Sequence, residues 1–596
     1  MASFYDNASI ITIPSGYKVG TLYSAKPTDG TGDMSFTRTG DTATRLNSAG
    51  IIERCITNLA LQSNVFSNAS WTKGNTTIAT GITDPNGGTT AFSLAGSSST
   101  SNTKTISQSP FTSSSDIKTF SIYAKANTHS FFQIRTSASA SVNFDLTTGT
   151  FQLGSGLSAI MTSIGGGWYR CQVTSTSATA NTSAVIQLVD SLSAAVNEAS
   201  TTTNSIFIWR AQAQTGDFAT NYIDTTTAAV TEGPVTNLPR LDYFGSTCPQ
   251  LLMEPTRTNL ETYSQMFDNS AWVKNTSSVS GNVAVSPDSY TNADALIEDN
   301  TSGIHSVAKD LAFVSGTTYT FSCFVKQGSG TRRFAIATHG SAFGSTYVSN
   351  FNLQTGVVTN SAAQIVGKIE NYGNGWYRCS AVATATATIT RAITFFLRST
   401  DTASSANYTG DGTSSLYLWG AQVEAGAYAT SYIPTTAATV TRNQDLFAKS
   451  TITSLLGQTE GTLFLDFSFN RQFENVDIFS LNDGTILNRV SIGVTASNTL
   501  TALVTSVGVD VATITSTISV GTMYKCAIAY KANDFMLYVN GVQAGSDTSG
   551  IVPASLTRLA SDAGTTSTNP FDFPINQALV FKTRLTNAEL ATLTTL

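Results

Sequence analysis

A chain of 596 residues with 41 % hydrophobic content carries enough apolar surface for several cores, given a prior of about 150 residues per domain. Only 12 % of the residues are charged, against roughly 25 % in average soluble domains. The net charge is −6, and Lys and Arg are nowhere clustered. That balance excludes global disorder and the electrostatic footprint of a nucleic-acid binder. No apolar run reaches the roughly 18 residues of a membrane span, and the start, Met1-Ala2-Ser3-Phe4-Tyr5-Asp6, has neither a basic leader nor an apolar stretch. The expectation is synthesis in a cytosol without a cleavable export signal. Six cysteines (Cys55, Cys171, Cys248, Cys323, Cys379 and Cys526) are scattered without a C-x-x-C pair, so neither a zinc ribbon nor a disulfide framework is expected.

In chain order, residues 1–50 form a first segment whose residues 1–40 are rich in Gly, Asp and Thr, with Phe4, Tyr5, Ile10, Ile11, Ile13, Tyr17 and Tyr23 interspersed. Such a segment has too few apolar groups for a core of its own. It is predicted to be an extended attachment arm whose apolar side chains bury against another protein or a neighbouring subunit. Residues 51–228 form a first module, and 229–251 a connector containing Pro234 and Pro239. Residues 252–438 form a second module, and 439–596 a region of different texture.

The two modules are one unit written twice. Trp71, Trp168 and Trp209 recur as Trp272, Trp376 and Trp419, each inside a shared phrase such as Gly167-Trp168-Tyr169-Arg170-Cys171 and Gly375-Trp376-Tyr377-Arg378-Cys379. Colinear recurrence of that kind means duplication. Within each copy the period is two. Phe120, Ile122 and Ala124 alternate with polar neighbours, as do Phe321, Cys323 and Val325 in the second copy. Residues 205–213 and 415–423 are apolar on both faces, as central strands are. Cys171 and Cys379 sit mid-strand and read as small buried hydrophobes.

From residue 439 onward, Leu463, Leu465, Phe467 and Phe469 alternate with polar residues. Tyr524, Cys526, Ile528 and Tyr530 form a strand turning at Asn533-Asp534, and Phe535, Leu537 and Val539 run into the hairpin turn Asn540-Gly541. Helical periodicity is confined to Asn587–Leu593. Many short strands separated by tight turns predict an all-β chain of sandwiches.

Two resemblances follow from these phrases. The paired modules, through Thr44-Arg45-Leu46-Asn47-Ser48-Ala49-Gly50-Ile51-Ile52-Glu53, Leu252-Met253-Glu254-Pro255-Thr256-Arg257-Thr258-Asn259-Leu260, both Gly-Trp-Tyr-Arg-Cys strings and Leu418-Trp419-Gly420-Ala421-Gln422, resemble the head-spike-fibre type domain of tailed-bacteriophage structural proteins. That domain is a jelly roll related to carbohydrate-binding modules. The third region resembles a laminin-G/concanavalin-A-like sandwich through Gly461-Thr462-Leu463-Phe464, Tyr538-Val539-Asn540-Gly541-Val542 and Thr583-Arg584-Leu585-Thr586-Asn587-Ala588-Glu589-Leu590. The implied fold is two tandem jelly-roll β-sandwiches followed by a concanavalin-A-like β-sandwich, with an N-terminal extended arm. Many related sugar-binding jelly rolls hold calcium on paired Asp in the last strand. Trp209-Arg210 and Trp419-Gly420 stand there instead, so no metal and no cofactor is expected.

No catalytic residue is predicted either. Glycoside hydrolysis needs two carboxylates facing across the scissile bond, and few acids match between the copies. Asp145 is replaced by Asn352, which reads as turn hydrogen bonding. Glu53 and Glu254 do match, and are expected to be structural carboxylates with Arg or backbone partners. His129, His305 and His339 share no motif. His129 aligns with Arg332, an exposed basic position. Sugar binding is expected to run through aromatic platforms: Trp168 and Trp376, each on a strand face shared with polar residues, and Tyr538 in the third domain. The alternative for both tryptophans is a covered strand end stacked on its Arg. Trp209 and Trp419 read as core, and Trp71 and Trp272 as staples for the N-terminal segments.

The resemblance implies a virion structural protein, a head or tail fibre or decoration protein, exposed on the particle surface. Its expected partners are other virion proteins of capsid, neck or tail through the arm, and a host-surface glycan. Nucleic acid and membrane insertion are not expected, and a homo-oligomer, a trimer first, is. A bacterial surface lectin or adhesin and a glycan-depolymerising tailspike enzyme remain the alternatives.

Overall fold

The computed structural model describes residues 4–112, 116–136, 140–175, 183–401, 407–469, 477–495, 497–564, 571 and 573–596. Residues 55–233 with 436–438 make up a smaller compact unit, and residues 1–54, 234–435 and 439–596 a larger one.

The smaller unit is the first sandwich. One six-stranded antiparallel sheet runs Leu157–Gly165, Trp168–Ser175, Lys118–Ala126, Ser205–Thr215, Ala91–Gly96, Thr76–Ile82. The facing sheet runs Thr150–Leu153, Ser141–Asp145, Phe131–Arg135, Ala184–Leu188, Lys104–Gln108, Thr72–Gly74. Phe120, Ile122 and Ala124 point into the core with Cys171 and Val173, as the period of two requires. Along Ser205–Thr215 the inward residues are Ile206 and Ile208, then Ala211 and Ala213. The parity changes at a bulge, where Arg210 takes a left-handed φ of 46° and the register against Lys118–Ala126 slips by one.

In the larger unit, the second sandwich repeats this order strand for strand. Its first sheet runs Val366–Gly373, Trp376–Thr384, Thr318–Gln327, Ser415–Ala425, Thr291–Glu298, Ser277–Val285. The bulge is repeated too, at Gly420 with φ 63°. A Cβ there would lie 3.0 Å from Phe324 Cδ2 and 3.3 Å from Tyr432 Cε2, so glycine serves both the backbone and the packing. Cys171, Cys323, Cys379 and Cys526 are buried, and all six cysteines are free thiols.

The third sandwich has a different topology, with an eight-stranded and a nine-stranded sheet. Its alternating strand Glu460–Phe469 lies between Thr522–Lys531 and Ile575–Phe581. The hairpin turn falls at Asn540 (φ 48°) and Gly541 (φ 82°), the left-handed pair that a two-residue turn needs. The helix Asn587–Leu593 starts on a capping box, in which the Glu589 carboxylate accepts from Thr586 N at 2.8 Å.

The N-terminal expectation needs correction. Several apolar groups of residues 4–50 are buried within the chain itself, while Tyr5, Val19 and Tyr23 stay exposed. Ile10–Thr12 pairs with Ile575–Phe581, and Met34–Thr37 pairs with Leu446–Lys449. Ile10, Leu22, Met34 and Phe36 are thereby buried in the core of the third sandwich. A segment too poor for its own core has completed another. The connector is likewise no free linker. Leu241–Asp242 and Gln250–Leu251 add two short strands to the same sheet, and Arg240 is fully buried.

What holds these segments is a buried ionic cluster. Arg240 ion-pairs with Asp445 and, at 2.8 Å, with Glu254. Arg442 reaches Glu254 at 2.5 Å, and Arg38 reaches Asp445 at 3.2 Å. Remaining donors go to main-chain carbonyls: Arg38 to Pro234 at 2.6 Å, Arg240 to Thr44 at 2.9 Å and Arg442 to Pro255 at 2.6 Å. Burial works to lower the Arg240 pKa, but the charges of Asp445 and Glu254 outweigh it and hold the guanidinium above its ordinary range. Glu254 is thus a structural carboxylate, and Glu53, 2.6 Å from Arg45 Nε, is its lighter counterpart. Removing one partner from a buried pair leaves an uncompensated charge at a cost of about 3–5 kcal/mol. Asp445→Asn is therefore expected to lower the urea midpoint of the larger unit while leaving the unfolding of the smaller unit in place, as followed by residue-resolved hydrogen exchange.

The second copy also contains an ion pair that the first lacks. Where Gln108 exchanges hydrogen bonds with the main chain of Leu61 (2.6 and 3.0 Å), Lys309 binds the Glu261 carboxylate at 2.9 Å and Thr262 Oγ1 at 2.6 Å. Burial raises the Glu261 pKa from 4.5 to about 7, against the opposing charge of Lys309. A carboxyl whose folded pKa is raised binds more protons folded than unfolded between those values, so stability falls as pH rises across that window. Replacing the pair by the first copy's residues, Glu261→Ala with Lys309→Gln, should flatten the loss of stability between about pH 4.5 and 7 in urea titrations.

Candidate ligand-binding cleft

The predicted aromatic platforms are not platforms. Trp168 is 3 % exposed, Trp376 2 % and Tyr538 6 %. Both tryptophans do lie on the outer face of their sheets, as the alternation predicts, but that face is covered. Trp168 packs with Ala91 and Trp209, flanked by Ile82, Tyr123 and Phe207. Trp376 packs with Ile52, Ala293, Phe324, Trp419 and Tyr432, and its indole N–H donates to Val285 O at 3.0 Å. Neither is stacked on its neighbouring Arg. The Arg170 guanidinium lies 5.4 Å from the Tyr123 ring, and that of Arg378 lies 5.2 Å from Phe324. Tyr538 points away from Leu537 and Val539, but Leu585, the helix residue Leu590 and N-terminal Ala8 and Ile11 close over it.

Trp209 and Trp419 are buried, but on the covered outer faces beside Trp168 and Trp376 and not between the sheets, where the sequence reading placed them. Trp71 and Trp272 are matched staples, donating to Gln62 O and Tyr263 O at 3.1 Å each. Asp145 and Asn352 both accept from turn amides, Thr147 N at 2.8 Å and Gln354 N at 3.0 Å. Asp411 and Asp483 do the same in their Asp-Gly turns. His129 is half-buried with Nε2 2.7 Å from Val189 O, not an exposed basic group. Among the described residues, no three His, Cys, Asp or Glu side chains gather as a metal site, and no helix is long and apolar enough to cross a membrane.

The structure brings together a different set. A cleft of about 230 Å³ opens in the larger unit, floored by Phe324 and Leu252 and walled by Phe244 and Tyr372. The Tyr372 ring centroid lies 4.9 Å from both Phe244 and Phe324, and burial pushes its hydroxyl pKa up. Asp242 lines the cleft with Oδ1 accepting from Leu46 N at 2.6 Å and Oδ2 from Phe244 N at 3.0 Å. Burial raises its pKa despite those two donors. The rim carries the Arg45–Glu53 pair and the Lys368–Glu370 pair, the latter at 2.7 Å. Arg378 crosses beneath, donating to Thr430 O at 2.6 Å and Ser322 Oγ at 3.1 Å.

The cleft is smaller than the roughly 300–1,000 Å³ of drug-sized sites, and its aromatic walls with a ring of polar donors and acceptors suit one ring-sized polar group. The three carboxylates in its lining are all engaged, Asp242 by main-chain amides, Glu254 by two arginines and Glu370 by Lys368 at 2.7 Å. The lining comes from segments around residues 44–52, 242–254, 366–382 and 427–432, with Val520 and Pro574. No local pattern in the sequence marks it.

A family model, the laminin-G type of the concanavalin A-like lectin/glucanase superfamily, matches residues 468–591, inside the third sandwich and less than half of the chain. No curated protein matches the sequence. Among solved structures, the CBM40 of Ruminococcus gnavus IT-sialidase bound to α2,3-sialyllactose is similar at 13 % identity over 24 % of this chain and 84 % of that one, with a TM-score of 0.22. The tandem CBM22-1–CBM22-2 of Paenibacillus barcinonensis Xyn10C is similar at 10 % identity over 65 % of this chain and 100 % of that one, with a TM-score of 0.20. The SAP-like pentraxin of Limulus polyphemus is similar at 17 % identity over 23 % and 69 %, with a TM-score of 0.18. Scores this low carry no functional weight. The all-β class rests on the strand orders above and, for the third sandwich, on the family match.

Because Trp376 is a core residue, Trp376→Ala should destabilise by about 3–5 kcal/mol and lower the melting temperature, as should Trp168→Ala. A thermal melt of each variant unchanged from wild type would return these residues to the surface.

Proposed function

We propose that this protein is a non-catalytic glycan-binding display protein, carried on a tailed-phage virion as a head or tail fibre or decoration protein. The observation that carries the glycan reading is the cleft of Phe244, Tyr372 and Asp242 in the larger unit, which combines aromatic walls with fixed hydrogen-bonding groups. It is supported by the concanavalin-A-like match in the neighbouring sandwich. The non-catalytic reading is supported by the engagement of Asp242 and Glu254 within the fold. The virion reading rests on the phrases shared with phage structural domains.

In that role the protein is synthesised in the host cytoplasm, assembles as a homo-oligomer (a trimer first) and docks on other virion proteins. The N-terminal segment meets them not through its buried apolar residues but through those that stay exposed, Tyr5, Val19 and Tyr23. A single shallow contact of about 4 kcal/mol corresponds to a millimolar Kd, so useful adhesion comes from many copies on one particle.

The full-length protein, titrated with neutral oligosaccharides from host envelopes by saturation-transfer NMR, should bind at about millimolar Kd, and Tyr372→Ala should weaken that binding about tenfold. Binding unaffected by Tyr372→Ala removes the cleft from the reading. Mass spectrometry and immunogold labelling of purified virions should find the protein on the particle, and its absence there would end the virion assignment.

A further inference from the structure

The outer faces of the two matched sheets differ in charge, and the difference centres on Arg210. In the second sandwich the bulge residue is Gly420, and Ile52 packs beside Trp419, Phe324 and Tyr432. In the first sandwich the bulge residue is an arginine held at φ 46°, a backbone region that side chains other than glycine seldom occupy. Its guanidinium carbon lies 3.9 Å from the Trp209 ring centroid and 4.8 Å from that of Tyr222. Both rings are themselves fixed. The Trp209 indole N–H donates to Thr90 Oγ1 at 2.8 Å, and the Tyr222 hydroxyl sits 2.6 Å from Ser63 Oγ and 2.7 Å from Asp224.

Stacking of this kind sets the plane of the guanidinium and leaves its N–H edge free to pair. Among the described residues, no carboxylate lies within 4.0 Å of Arg210, and its buried Nε has no hydrogen-bond partner. The neighbouring positions reinforce the charge. Arg170 matches Arg378, but Glu424, the fully buried acid close to Arg378, is replaced in the first sandwich by the neutral Gln214. At these three matched positions the first face carries two arginines and no acid, and the second one arginine and one glutamate; the first also has Asp224, where the second copy has Pro434, accepting from the Tyr222 hydroxyl.

We propose that Arg210 anchors a second binding site, in the first sandwich, for a carboxylate-bearing sugar such as a uronic acid unit of an acidic polysaccharide. The planar guanidinium, oriented by Trp209 and Tyr222, pairs with the sugar carboxylate in the bidentate geometry that Arg and carboxylate share, with Arg170 adding positive potential. This site is separate from the Tyr372 cleft, and it rests on the reading of the protein as a glycan binder.

The test uses the full-length protein and two probes, a glucuronate-containing oligosaccharide and the same oligosaccharide with its carboxyls reduced to alcohols. By NMR titration the wild type should bind the carboxylated probe about tenfold more tightly than the reduced one. Arg210→Gly, which installs the residue of the second copy, should abolish that preference. Arg210→Lys, which keeps the charge but not the fork, should keep only part of it. If Arg210→Gly lowers the melting temperature, Arg210→Lys decides: an undiminished preference in that variant overturns the bidentate site. Equal binding of the two probes by the wild type, or a preference that survives Arg210→Gly, also overturns the inference. If the reduced probe binds and is lost in Tyr372→Ala while Arg210→Gly changes nothing, only this inference falls. If neither probe binds at millimolar concentration, the glycan reading falls with it.

Discussion

The buried cluster of Arg38, Arg240, Arg442, Glu254 and Asp445 is the constraint from which the rest of the larger unit follows. The five members come from four stretches: Arg38 from the N-terminal segment, Arg240 from the connector, Glu254 from the start of the second module, and Arg442 and Asp445 from the segment that follows it. Charges removed from water are tolerable only when every partner is in place, so the five side chains form together or not at all. The cluster makes one cooperative object of segments that would otherwise be a tail and two linkers. It also fixes the cleft, since Glu254 and the neighbouring Asp242 are part of the cleft lining.

Duplication supplied two scaffolds with one strand order, and several of the differences between them fall at polar positions. The strand order, the core alternation, the staple tryptophans and even the central bulge are common to both copies. What changed is the residue in the bulge, Arg210 or Gly420, and the residues beside it, Gln214 or Glu424. A neutral amide at Gln108 became the Lys309–Glu261 pair. A close-packed interior resists change, whereas a bulge on an outer face can take a new side chain with little effect on the core. Such positions let one fold present two different surfaces.

The aromatic residues illustrate how burial reassigns a side chain. Trp168, Trp376 and Tyr538 all point to the face that alternation gives them, yet each is covered by something distant in sequence. For Trp376 it is Ile52, more than half the chain away, and for Tyr538 it is a C-terminal helix and an N-terminal strand. A large aromatic on an outer face becomes a stacking platform only if no other element needs it as a floor. In this protein other elements do, and the side chains left lining an opening are Tyr372 and Phe244.

Local chemistry determined the strands, the hairpin at Asn540-Gly541, the capped helix at Asn587, the duplicated modules and the roles of Trp71, Trp272, Asp145 and Asn352. Each of these depends on residues within a few positions of one another, or on the repeat itself. Tertiary structure alone decided where residues 1–50 go, that the connector is part of a sheet, and that Asp242, Phe244, Tyr372 and Arg378 meet. Those outcomes turn on which distant surface buries a given apolar group and which distant carboxylate neutralises a given arginine. Neither periodicity nor spacing encodes that choice, because burial and charge pairing are properties of the assembled chain.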